Sequence, residues 1–413
     1  MTQPKRNARR VALVSEHASP LAELGGPDAG GQNVYVAQLA RTLALRGHDV
    51  TVYTRRDDPR APETVRTPQG VKVVHVPAGP PTAVPKDELF AHMPEFGAHL
   101  ARMWRHRRPD VVHAHFWMSG LAALTGSRDT GIPVVQTYHA LGTVKRRHQG
   151  TEDTSPRERV GLEARIGIEA DAVIATCADE VRELVAMGVP RDRIDVVPCG
   201  VDTSHFSPRP GARRPKGAPR RLLAVGRLVP RKGFDRAIRA LAEVSDAELL
   251  IAGGPEAELL FADPEAERLR KIASEHGVAE RVRMLGCVPQ HQMPDLVAGA
   301  DLLLSLPRYE PFGIAPVEAM ACGTPVVATA VGGQLDTVVD GVTGVHVPPL
   351  DEADHDLAGV IRSLLDDPAR LARYGAAGRT HALARFTWDE VADGVARVYS
   401  RLCSRSLPSE VAR

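Results

Sequence analysis

Neither sign of charge dominates this sequence. It carries 52 Lys and Arg against 51 Asp and Glu, a net charge of +1, which argues against a nucleic-acid or membrane-surface role built on bulk charge. Cysteine is sparse as well. The five residues at 177, 199, 287, 322 and 403 form no C-x-x-C pair, and an odd count fits a reducing cytosol better than a disulfide framework. Long apolar runs are missing: after the basic start, Met1 to Arg10, only Val11 to Val14 is continuously apolar. That is too short for a signal peptide or a bilayer span, so the expected compartment is the cytoplasm and no integral membrane segment is expected. No G-x-G-x-x-G follows the first expected strand directly, which leaves a nicotinamide-dinucleotide fingerprint unsupported.

What is present is ordinary for a soluble globular chain: 43% hydrophobic and 25% charged residues, with room for a large core. At about 150 residues per domain, the length gives two or three domains. Val11 to Val14 reads as a buried strand. The loop after it holds Gly25-Gly-Pro-Asp-Ala-Gly-Gly31, residues that tolerate positive φ and let backbone approach a ligand. Asn33 to Arg46 has helical spacing, capped by Gly47, and Val50 to Thr54 is the next strand. Strand, glycine loop, helix and strand make a βαβ unit of a doubly wound α/β sheet. Further strands are expected at 71–76, 111–115, 133–137, 171–176 and 195–200. His115 and His139 fall at carboxyl ends of two of them, where ligands bind in open α/β sheets; a structural role is the alternative for each.

Residues 207–220, rich in Pro, Gly and Arg, read as an interdomain linker. The plan then restarts. A strand ends at Gly226-Arg227, a Pro230-Arg-Lys-Gly233 loop follows, and Phe234 to Ala242 is a helix. The expected organisation is therefore two Rossmann-like units facing a cleft, 1–206 and 221–385, and a last amphipathic helix within 386–413. The most specific stretch is Tyr309 to Gly333. There Glu310 and Glu318 stand eight residues apart around a Pro-Phe-Gly turn and a small-residue helix, followed by the strand Pro325 to Thr329. A loop-to-helix junction presents unpaired N–H groups and the positive end of the helix dipole, so the amides of Phe312, Gly313 and Ile314 suit an anion. An acidic loop beside a solvated helix is the alternative.

The Y-E-P-F-G-I-A-P-V-E stretch resembles the E-x7-E signature of retaining nucleotide-sugar glycosyltransferases of the GT-B type (glycosyltransferase family 4), and G-R-L-V-P-R-K-G resembles their donor-diphosphate motif. G-G-P-D-A-G-G-Q-N-V-Y and H-A-H-F-W-M-S-G look like the branch of sucrose-phosphate synthase and inositol-phosphate N-acetylglucosaminyltransferase. The resemblance covers nearly the whole chain and implies a hexosyl transfer from UDP-glucose or UDP-N-acetylglucosamine, with retention and release of UDP. It implies that Arg227 and Lys232 bind the diphosphate, Glu310 the sugar hydroxyls and Glu318 the ribose. His139 would lie near the donor sugar, with Asn33 and the amides of Gly30 and Gly31 closing the site. The last helix would cross back to the first domain. No cofactor or metal is implied, and no D-x-D stands at an expected strand end.

For the acceptor, Lys86 and Arg159 match the branch's two basic phosphate ligands. The Tyr and Thr hydroxyls of the inositol-phosphate enzymes are replaced by Phe116 and Ala140. The expected acceptor is a small hydroxylated molecule different from inositol phosphate. Lys145 to Arg147 either compensates for the missing hydroxyls or is a solvated charge run. Monomer and homodimer both stay open. The competing readings are a nucleotide-sugar epimerase or phosphorylase on the same architecture, and a non-catalytic sugar-nucleotide sensor.

Overall fold

Short runs of Val, Leu, Ile and Ala bounded by glycine or polar turns become strands buried on both faces, as in parallel sheets covered by helices. The computed structural model describes residues 8–21, 31–212, 217–349 and 356–405. They form two units, Met1–Pro198 with Trp388–Arg413, and Cys199–Thr387.

The first unit holds β1 (Arg10–Val14), β2 (Asp49–Arg55), β3 (Thr64–Arg66), β4 (Lys72–Val76), β5 (Val111–His115), β6 (Val134–Thr137), β7 (Ala172–Ala175) and β8 (Ile194–Val196). They lie in the order β3-β4-β2-β1-β5-β6-β7-β8. All pairings are parallel except β3 on β4. Val11 faces Val50 on one side and Val111 on the other. The chain leaves β1 toward one edge and resumes at β5 toward the other, so the topological switch point falls between β1 and β5. Helix Trp388–Arg405 belongs to this unit. Arg46 pairs with Asp389 and Asp393 on it, and Arg401 of the helix pairs with Asp195 in β8.

The second unit holds β9 (Arg220–Val225), β10 (Ala247–Ala252), β11 (Val282–Gly286), β12 (Leu302–Ser305), β13 (Val326–Thr329) and β14 (Gly344–Val347). Their order is β11-β10-β9-β12-β13-β14, all parallel. Leu222 faces Leu249 and Leu302, so the switch point here lies between β9 and β12. This unit begins before the Pro-, Gly- and Arg-rich stretch: the Val201 amide donates to the Phe386 carbonyl at 2.7 Å.

Backbone contact holds the loops after β9 and β12 together. The Arg308 amide donates to the Arg231 carbonyl at 2.8 Å. Gly233 has φ +69°, and a Cβ there would collide with the Leu306 carbonyl oxygen. Positive φ and a backbone clash together cost about 2 kcal/mol or more. Gly233→Ala is therefore expected to lower Tm by about 4–8 °C in a unit of this size. Calorimetry checks it, and an unchanged Tm would show that the two loops are not locked.

Candidate functional site

In the second unit the loops leaving β9 and β12 carry the charged residues singled out in the sequence. After β9, Gly226 turns the chain with φ +154°, and a Cβ there would press on the Lys232 stem at 3.2 Å. Arg227 is exposed. The 3-10 turn Pro230–Lys232 ends at left-handed Gly233, where helix Phe234–Leu241 begins. After β12, Glu310 precedes Phe312 and left-handed Gly313, and helix Ile314–Cys322 follows with no side chain capping its first turn. Among the described residues no N-cap side chain serves its leading N–H groups, which carry the positive end of the helix dipole. Phe312 is buried.

Lys232 Nζ lies 2.5 Å from Glu310 Oε2. Burial pushes the Glu310 carboxyl up, but Lys232, then Arg231 and Arg227, more than offset it and hold the group below the usual carboxylate range. The Gly333 amide fixes the Glu310 carbonyl at 2.9 Å. The Arg231 guanidinium stacks 5.0 Å from the Tyr309 ring. Glu318, one helical turn inside, has no hydrogen-bond partner among the described residues, and burial pushes it up to about 8. The structure therefore gathers Lys232 and Glu310, with Arg227 close enough to act on Glu310 electrostatically. It sets Glu318, part-buried on the helix, apart from them.

In the first unit the equivalent loops leave β1, β5 and β6. Phe116 and His139, just past β5 and β6, hold φ of +81° and +61°. L-residues of this bulk enter that region only under constraint, at about 1–3 kcal/mol each, and such strain gathers at functional sites. Lys86 Nζ sits 4.0 Å from the Phe116 ring centroid and the Arg159 guanidinium 5.0 Å from it. Arg159 is buried and anchored by Glu163 (2.7 Å), Ser155 (3.2 Å) and the Ala140 carbonyl (2.8 Å). Three of its five N–H donors have partners among the described residues, which leaves two there without one. Lys86, Phe116, Ala140 and Arg159 thus form one group.

His139 belongs to a ring stack behind them. His113 bonds Tyr399 Oη at 2.8 Å and Thr137 Oγ1 at 2.9 Å, and His115 Nδ1 meets His139 Nε2 at 3.1 Å. Burial pushes His113 and His139 down to about 3 and His115 well down, so all three rings are neutral at pH 7. His139 thus stands beside Phe116's neighbours as an imidazole without a positive charge. Asn33 is buried and donates to the Ser19 carbonyl at 3.2 Å; Gly31 opens helix Gly31–Leu45 and is exposed. Gly30 lies outside the described residues. In the run Lys145 to Arg147, Lys145 pairs with Asp153 and Arg147 with Glu183.

The sequence reading passed over Glu16, His17 and Ser119, which meet beside Phe116, and Arg231. Glu16 and His17 follow a strand end by the same rule that picked out His115 and His139. Among the described residues, no three His, Cys, Asp or Glu side chains form a metal-ligand set, and no helix is long and apolar enough to cross a membrane.

Two doubly wound units, each with its charged groups gathered at the switch point of its sheet, are the architecture of GT-B glycosyltransferases. Residues 29–205 match the family model for Glycosyltransferase Family 4, and residues 210–381 that for Glycosyl transferases group 1. The chain is 42% identical over 405 residues to D-inositol 3-phosphate glycosyltransferase 1 of Catenulispora acidiphila, covering 94% of this chain and 95% of that protein. It is 40% identical over 408 residues to D-inositol 3-phosphate glycosyltransferase of Mycolicibacterium smegmatis, covering 96% and 92%. Among solved structures it is similar to sucrose-phosphate synthase from Thermosynechococcus elongatus, with a TM-score of 0.86, 31% identity, and coverage of 96% and 100%. The chain belongs to the GT-B glycosyltransferases, in the branch of these D-inositol 3-phosphate glycosyltransferases and sucrose-phosphate synthase. It is an enzyme that transfers a sugar from a nucleotide sugar.

Proposed function

We propose that the chain transfers a hexosyl unit from UDP-glucose or UDP-N-acetylglucosamine to one hydroxyl of a small anionic acceptor, with retention and release of UDP. The observation that carries this is the Lys232–Glu310 pair at the β9/β12 switch point, flanked by Arg227 and an uncapped helix start. A departing diphosphate needs cations where its charge develops. Lys232 has three donors and can serve phosphate oxygens while keeping Glu310, and Arg227 supplies a planar fork. Glu310 is ionised and accepts hydrogen bonds from sugar hydroxyls, and Glu318 takes the ribose diol. The acceptor hydroxyl attacks from the face the phosphate leaves, and the phosphate oxygen takes its proton. No metal ion is assigned a step.

The first unit binds the acceptor. Lys86 and the two spare donors of Arg159 favour an anion beside Phe116. The test is UDP release from each UDP-sugar with and without acceptor, followed by NMR of the product anomer. Acceptor-dependent release with retained configuration is expected. Interconversion of the donor sugar without acceptor would mean an epimerase, and tight UDP binding with no transfer a sensor.

Phe116 and Ala140 bring no hydroxyl to the acceptor. F116Y/A140T is expected to lower KM for D-inositol 3-phosphate by about tenfold or more, two neutral hydrogen bonds being worth about 1 kcal/mol each. An unchanged KM would remove these positions from the acceptor site.

A further inference from the structure

Phe116 stands at the start of helix Trp117–Ser127 with φ +81° and ψ +157°, a region essentially reserved for glycine. A buried aromatic residue stays there only when its surroundings over-determine it. Three hydrogen bonds do so. The Phe116 amide donates to the Thr137 carbonyl at 2.8 Å, and the Phe116 carbonyl accepts from the Gly120 amide at 3.1 Å. The third comes from a side chain with no part in the transfer itself. Gln136, in β6, is 0% exposed, and its Nε2 donates to the carbonyls of Phe116 and Thr137, each at 3.1 Å. Both amide protons are thereby used. The amide cannot be turned over, because Oε1 would then face two carbonyl oxygens.

This arrangement lowers stability in three places. Gln136 Oε1 is buried with no hydrogen-bond partner among the described residues, which is unfavourable for an amide oxygen. Beside it on the helix is Gly120, where a Cβ would lie 2.4 Å from that oxygen, so the helix gives up a better helix former to admit the amide. The third place is the strained backbone of Phe116. Neither carbonyl depends on Gln136 for satisfaction, since each already accepts a backbone amide. An apolar side chain at 136 would remove the unpaired oxygen and orphan no other group. What the amide adds is a second grip on the Phe116 carbonyl. The ring of that residue has the Lys86 ammonium 4.0 Å and the Arg159 guanidinium 5.0 Å from its centroid. Costly features that converge beneath a binding surface point to function rather than to stability.

We infer that Gln136 is a positioning residue for acceptor binding: by holding the Phe116 carbonyl it keeps Phe116 in the glycine-like conformation that presents its ring to Lys86 and Arg159. The inference rests on the assignment of the acceptor to the first unit. Gln136 touches no reacting atom and adds no step to the transfer. It sets the fraction of enzyme in which the group around Phe116 is assembled, and the apparent affinity for the acceptor scales with that fraction.

The experiment uses the full chain with its best UDP-sugar and D-inositol 3-phosphate as probe acceptor. Q136M keeps the length of the side chain and removes its donors. It is expected to raise KM for the acceptor by about tenfold, the effect of one hydrogen bond lost from a strained residue. It should leave kcat at saturating acceptor, acceptor-free hydrolysis of the donor and UDP affinity unchanged. Its Tm should be no lower than that of wild type, because the unpaired oxygen leaves with the amide. A merely structural role would do the reverse, lowering the Tm and leaving KM alone. F116G supplies the second arm, since glycine adopts this backbone without strain. In that background Q136M should raise KM by less than about twofold, the two positions acting as one. Q136L takes the place of Q136M should the latter not fold. An unchanged KM in the folded variant, or a tenfold rise that persists in F116G, overturns the inference and leaves the transferase reading standing. A wild-type enzyme that binds UDP-sugar and shows no acceptor-dependent turnover on any hydroxylated anion overturns both.

Discussion

Lys232→Ala is expected to lower kcat/KM for acceptor-dependent UDP release by about three orders of magnitude, because removal of a single well-placed group facing developing charge already costs about 10²–10³ and Lys232 serves two partners. It faces the proposed diphosphate and also neutralises Glu310 at 2.5 Å. Without the ammonium, burial acts on Glu310 with only Arg231 and Arg227 opposing it. The sign of the pH effect follows. In the intact protein the Glu310 carboxyl is held below its ordinary 4.5, so it stabilises the fold above that value and the contribution fades as pH falls through the lower folded value. In the variant that contribution is lost at neutral pH, about 1–3 kcal/mol for a part-buried pair broken on one side. Lys232→Ala combined with Glu310→Gln should therefore regain most of the Tm without regaining turnover. A Lys232→Ala enzyme within tenfold of wild type would sink the assignment of the diphosphate to this loop.

The legibility of the sequence follows the range of each interaction. The turn Pro230–Lys232 with Gly233, and the junction Glu310 to Gly313, were readable because Pro and Gly at fixed offsets dictate local backbone. The helix Ile314–Cys322 and strand β13 fall within a residue or two of expectation for the same reason. The two-unit plan was readable from the repeated strand, glycine turn and helix. Helices Met93–His106 and Gly142–Gln149 were not read at all, the K-R-R-H run of the second giving no apolar stripe. The group around His17 was invisible for another reason: Glu16 meets Ser119 across 103 residues, and His113 meets Tyr399 across 286. Those contacts exist only once β1 lies beside β5 and the last helix has returned to the first unit. Lys86 and Arg159, by contrast, were proposed on a resemblance alone, and the fold brings both to one ring.

Glu318 should make donor binding depend on pH in the neutral range. Burial without a partner pushes its carboxyl from 4.5 up to about 8, so the ligand-free enzyme holds it protonated at pH 7. For an acid raised in this way the fold is most stable below about 4.5, and loses roughly 1.4 kcal/mol per pH unit as pH climbs toward 8, where the loss levels off. A ribose diol donates two hydrogen bonds and so prefers the ionised carboxylate. Binding must then release a proton, and the affinity for UDP-glucose, whose diphosphate has no proton to lose in this range, should rise steeply between pH 6 and pH 8 and flatten above. The limiting slope is about tenfold per pH unit, and the gain over the range tens of fold. Glu318→Gln has no proton to release, so its titration by calorimetry should show a flat affinity near the wild-type value at pH 6. The same variant should melt higher than wild type at pH 9 and alike at pH 5, because only the high-pH enzyme carries this unpaired, part-buried charge. Parallel pH profiles for the two proteins would place the ribose elsewhere. The same acid that weakens the empty fold at high pH is, on binding, stabilised by the donor, which couples nucleotide capture to the part-buried carboxylate of Glu318 on the helix after β12, left unpaired among the described residues.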